Sequence, residues 1–124
     1  MTSTATRNTV KILVADDDPH MLEFVAMALS RLGYEVSTAP DGEAALRAFE
    51  QAPRSFHLVI ADAVMPRLGG LELLRAVSIL SPSTLTLLIS GSPELVARTK
   101  TAALPKPFAV AALASTVNAL LTHA

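Results

Sequence analysis

The chain has 124 residues, 51% of them hydrophobic, with a net charge of −1 and no cysteine. That length suits one domain with a single substantial core, and the apolar content is too high for a disordered or fibrous chain. The near-neutral balance gives no electrostatic reason to expect nucleic acid or an anionic membrane as partner, and the lack of cysteine excludes thiol catalysis, disulfides and thiolate metal sites.

No apolar run approaches the roughly 18 residues of a membrane span. Met1 to Thr9 is polar and lacks a signal-peptide pattern, so a cytoplasmic location is expected. Residues 1–8 read as a flexible tail, and 9–124 as one domain. Val10 to Ala15 is an apolar run that ends in Asp16, Asp17 and Asp18. Asp18 before Pro19 is a natural N-cap and first helical position. Leu22, Val25, Ala26, Leu29 and Leu32 then fall at helical spacing, and Gly33 is a C-terminal stop. Tyr34 to Thr38 is a second short strand. Pro40-Asp41-Gly42 starts a helix with Ala45, Ala48, Phe49 and Ala52 on one face, closed by Pro53.

His57 to Ala61 leads a third apolar run into Asp62, and Pro66, four residues beyond, prevents the strand from simply continuing. A loop through Gly69-Gly70 opens a third helix bearing Leu73, Leu74, Val77 and Leu80. Gly69-Gly70 matches no phosphate loop and reads as a flexible helix start. Leu85 to Ile89 is a fourth strand ending at Ser90-Gly91. A short helical piece over Pro93 to about Thr99 precedes a very short strand at Ala102–Leu104 and then Lys106-Pro107-Phe108. Val110, Leu113, Ala114, Val117, Leu120 and Leu121 pattern the last helix. His20, His57 and His123 are scattered and read as solvated or satisfied rather than as ligands.

Strands alternating with helices imply right-handed crossovers and a parallel sheet covered on both faces. All strands then point their carboxyl ends to one rim, which collects Asp16, Asp17, Asp62, Ser90 and Lys106. Clustered carboxylates repel one another unless a cation joins them, and an all-oxygen ligand set favours a hard ion such as Mg²⁺. A lysine and a serine beside such an ion suit a transferring phosphoryl group, for which an aspartate can be the nucleophile.

Four ordered signals carry a family likeness: Asp16-Asp17 after the first strand, Asp62 with Met65-Pro66 after the third, Ser90-Gly91 after the fourth, and Lys106-Pro107-Phe108 after the fifth. In this order the chain resembles, over about residues 10–122, the receiver domain of two-component response regulators. The resemblance implies a doubly wound, flavodoxin-like α/β fold with a five-stranded parallel sheet in the order 2-1-3-4-5. It implies that Asp62 accepts a phosphoryl group from a histidine kinase or histidine phosphotransfer protein, with Ser90 and Lys106 binding that group and Gly91 leaving room for it. Mg²⁺ would be held by Asp16, Asp17, Asp62 and the backbone carbonyl of Val64, and the Lys106-Pro107 bond would be cis. The module would act on no substrate other than itself, as a monomer, with a possible downstream protein partner and with neither nucleic acid nor membrane bound through this domain.

Two departures from the family pattern stand out. Ser90 and Lys106 lie only 16 positions apart, shorter than is usual, so the fourth helix should be cut to about two turns or lost. The aromatic switch that many receivers carry three residues before the lysine is replaced by Ala103. The commonest output in the family is a rearrangement of the face made by the fourth helix, fifth strand and fifth helix, and that face is altered here. A pseudo-receiver, acting as a phosphorylation-independent interaction scaffold, is the alternative reading. A small-substrate phosphatase fits poorly, because Ala63 and Val64 offer no acid or base beside Asp62 and no cap is present. The sequence leaves open a stand-alone protein, a fragment of a hybrid kinase or part of a larger regulator.

Overall fold

The computed structural model describes residues 9–123, so the N-terminal stretch 1–8 lies outside the described residues. Strands β1 (Lys11–Ala15), β2 (Glu35–Ala39), β3 (Leu58–Asp62), β4 (Leu85–Ser90) and β5 (Ala102–Pro105) alternate with helices α1 (Pro19–Arg31), α2 (Gly42–Gln51), α3 (Gly70–Leu80), α4 (Pro93–Arg98) and α5 (Val110–Thr122). They form one sheet in the order β2-β1-β3-β4-β5. Every pairing is parallel.

This order dictates where the helices go. The chain steps outward from β1 to β2, then returns past β1 to β3 and continues to β4 and β5. Right-handed crossovers put a helix on opposite faces when the direction of travel reverses. Accordingly β1 splits its side chains between two cores. Leu13 and Ala15, with Val59, Ala61 and Leu88, pack against Ala45 and Phe49 of α2 and Leu73, Leu74 and Val77 of α3. Ile12 and Val14, with Leu58, Ile60, Leu87 and Ile89, pack against Val25 and Leu29 of α1 and Leu113 and Val117 of α5. The period-2 alternation of a strand thus fills both faces, which is why these strands read as unbroken apolar runs.

The helix ends depart from the expected stripes. Leu32 is the C-cap of α1 and stays 51% exposed, with Gly33 following at φ 96° as the left-handed stop. Ala52 lies beyond the last turn of α2 and is exposed. Leu80 and Val110, at the end of α3 and the start of α5, are also half in solvent. Their periodicity is right, but the sheet does not extend beneath the terminal turns. Helix α4 is one and a half turns of six residues, capped by the Ser92 hydroxyl, which accepts from the Leu95 N–H at 3.2 Å.

Candidate active site

Adjacent strands in register deliver the acidic residues to one place. Ala15 of β1 faces Ala61 of β3, so the next residues, Asp16 and Asp62, emerge as neighbours. One carboxylate oxygen from each of Asp16, Asp17 and Asp62 lies within 4.8 Å of the others. Asp16 and Asp62 are buried and Asp17 is exposed. On the other side, Asp62 faces Ile89 and Ser90 faces Pro105. The Lys106 N–H donates to the Ser90 carbonyl at 2.8 Å, extending that ladder by one rung. The Lys106 ammonium is thereby placed against Asp62, with which it forms an ion pair. The position is the reversal point of strand order, at the carboxyl ends of β1 and β3, where doubly wound sheets bind ligands.

Charge within this cluster is unevenly balanced. Burial pushes the Asp16 carboxyl above its ordinary range, and the negative charges of Asp62 and Asp17 push the same way. The Asp18 N–H and the Lys106 ammonium oppose them without winning. Burial works against the charged form of Lys106, but hydrogen bonding and attraction from Asp62, with the charges of Asp16 and Asp18, hold its pKa above the usual lysine value. A buried carboxylate kept partly uncompensated is the electrostatic signature of a place for a cation.

The remaining residues fall as follows. The Asp18 side chain accepts the His20 N–H at 3.0 Å and so caps α1. Its own N–H donates to Asp16 Oδ1 at 2.9 Å, which fixes the Asp16 carboxylate. Buried Ser90 accepts the Ser92 N–H on Oγ at 3.0 Å, leaving the hydroxyl proton for another acceptor. A Cβ at Gly91 would meet open space, so this position is roomy. Val64 projects into solvent at 80% exposure, its N–H donating to Asp62 Oδ2 at 3.2 Å. The Lys106-Pro107 bond is cis, as expected. His57 is satisfied structurally, its Nδ1 accepting the Lys11 N–H at 3.0 Å.

A family model described as the response regulator receiver domain matches residues 12–118. The chain belongs to this family. The receiver is 31% identical over 120 residues to the response regulator receiver protein CpdR of Brucella abortus, covering 92% of this chain and 98% of CpdR. It is 35% identical over 116 residues to the sensor kinase CckA of the same organism, covering 89% of this chain but only 12% of that kinase. Among solved structures it resembles the response regulator TrrA of Thermotoga maritima, determined in complex with Mg²⁺ and BeF, at a TM-score of 0.82 and 28% identity, covering 90% of this chain and 99% of that one. The role of this receiver is that of a phosphoacceptor in two-component signalling. Its acidic cluster has the all-oxygen donor set of a divalent-metal site.

Proposed function

We propose that Asp62 takes the phosphoryl group from a histidine kinase or histidine phosphotransfer protein, with Mg²⁺ held by Asp16, Asp17, Asp62 and the Val64 backbone carbonyl. The observation that carries this is the meeting of three carboxylates within 4.8 Å of one another, with Lys106 paired to the one at the strand end. An Asp62 carboxylate oxygen attacks phosphorus, a P–O bond forms, the P–N bond to the donor histidine breaks, and the imidazole leaves as a neutral ring once protonated. Mg²⁺ supplies charge neutralisation for the phosphoryl oxygens.

Lys106 exchanges its contact with Asp62 for one with a phosphoryl oxygen, and the free Ser90 hydroxyl proton is a second donor. Asp16, held by the Asp18 N–H, keeps its carboxylate facing the cluster. Hydrolysis, in which water attacks phosphorus, the bond to Asp62 breaks and inorganic phosphate leaves, is the only other chemistry assigned, so the domain turns over no substrate of its own. We place it in the cytoplasm as a monomer whose downstream partner is a protein rather than nucleic acid; no described helix is long and apolar enough to cross a membrane.

Intact-mass measurement after incubation with acetyl phosphate tests this. One phosphoryl group should be added with Mg²⁺, almost none without it, and none in Asp62→Asn. Full labelling of Asp62→Asn would move the acceptor elsewhere.

A further inference from the structure

The acceptor loop, residues 62–70, is closed by the Ala63 N–H on the Ile89 carbonyl at 2.8 Å and by the Gly70 N–H on the Ala63 carbonyl at 3.0 Å. At its tip the Leu68 N–H donates to the Pro66 carbonyl at 2.8 Å, and Arg67 between them has φ 69°. This is a γ-turn of the rare form, strained for a non-glycine residue. The strain is offset by what the turn lets Arg67 reach. Its Nη2 donates to Asp41 Oδ2 at 2.6 Å and its Nε to Glu43 Oε1 at 2.9 Å.

Asp41 is well suited to hold that contact. Its other oxygen caps α2 by accepting the Ala44 N–H at 2.8 Å, and its side chain is only 16% exposed. Gly42 beside it has the Leu68 carbonyl packed where a Cβ would stand. The acceptor loop therefore rests on the start of α2. The same corner reaches the other half of the site, because the Asp16 N–H donates to the Ala39 carbonyl at 3.2 Å. Residues 39–43 thus touch both loops that carry the carboxylates, one through Asp16 and one through Arg67.

We propose that Arg67 is a positioning residue: by clamping Asp41 and Glu43 it fixes the 62–70 loop relative to the Asp16-Asp17 loop and thereby sets the affinity of the site for Mg²⁺. The inference rests on the Mg²⁺ reading above. Mg²⁺ demands near-ideal octahedral geometry with short bonds, so a small shift of one loop against the other is felt directly as lost affinity. Charge alone predicts the opposite sign: removing a nearby cation leaves the site more negative and should tighten Mg²⁺ binding. The direction of change therefore separates the two effects.

The test is an NMR titration of MgCl₂ against the wild-type chain and Arg67→Met, Arg67→Gly and Arg67→Lys, read from amide shifts without phosphodonor. The Met variant should bind Mg²⁺ about 3- to 5-fold more weakly, the size of a good networked ion pair. Gly, which relieves the φ but has no side chain, should be similarly weak, and Lys, able to keep only one of the two contacts, intermediate. Unchanged or tighter binding in the Met and Gly variants overturns the proposal, even if their urea midpoints fall. A wild-type chain that fails to bind Mg²⁺ overturns instead the metal assignment on which the proposal stands, and the two failures are read in separate samples.

Discussion

Asp16 and Lys106 belong to one charged cluster and both have raised pKa values, so each makes the fold less stable as pH rises. Ionised Asp16 costs stability, whereas ionised Lys106 contributes it. An acid whose folded pKa lies above its unfolded value weakens the fold once ionised; the cost is absent below the ordinary value of 3.8 and complete above the folded pKa. Asp16 is such a group. Lys106, a base with a raised pKa, contributes stability that is fully present below 10.5 and is lost as pH rises through its folded value. At neutral pH without divalent metal, Asp16→Asn should therefore raise the urea midpoint, since the amide keeps the oxygen that accepts from Asp18. Added Mg²⁺ should shrink or reverse that advantage, and so should acidification toward pH 4. A lower midpoint for Asp16→Asn at pH 7, insensitive to Mg²⁺, would show that burial does not tax this carboxylate.

At the level of elements, the two glycines that start α3 have different roles. A Cβ on Gly70 would run into the Asp62 carbonyl, which as backbone cannot swing aside, whereas one on Gly69 would meet the flexible end of Glu72 at 3.2 Å. Gly70→Ala should destabilise by about 1–3 kcal/mol, the range for overpacking, and weaken Mg²⁺ binding by displacing the acceptor strand end. Gly69→Ala should cost less than half as much; denaturant midpoints and one Mg²⁺ titration compare them, and equal costs would sink the steric account. A flexible helix start was all the sequence could offer here, because a close approach between residues eight apart leaves no periodic trace. The rim residues were legible for the opposite reason. Each follows an apolar run, and parallel register carries all runs to one edge. Nothing comparable marks Arg67, whose role depends on a positive φ and on acids 24 and 26 positions away. Leu32, Leu80 and Val110 mislead in a third way: periodicity identifies a face but not where the surface beneath it ends.

Across the molecule, the two helical layers are unequal. The face of α1 and α5 carries exposed Phe24, Met27, Leu32 and Val110, with Phe24 and Phe108 in ring contact at a centroid distance of 6.1 Å. On the other side, α4 contributes no fully buried residue and only Leu95 to the adjoining core, next to Ala103. Six residues of helix span about 9 Å. A specific dimer needs on the order of 1,200–2,000 Å² of total buried surface, and α4 can supply only a small share of it. With Ala103 in place of an aromatic ring, that position on β5 has no ring to change rotamer in response to the state of Asp62. The connection that remains runs through the Ser90–Pro93 turn, where the Ser90 oxygen already holds the Ser92 N–H and Ser92 in turn caps α4. Engagement of the Ser90 hydroxyl by a phosphoryl oxygen would act on that chain of hydrogen bonds first. The expected result is an activated protein that stays monomeric in sedimentation velocity with and without beryllofluoride. Its amide shifts should concentrate at residues 16–18, 62–67, 90–95 and 106–108. A tight dimer formed only on activation, with its interface mapping to residues 93–121, would mean that a helix of one and a half turns suffices as a dimer switch.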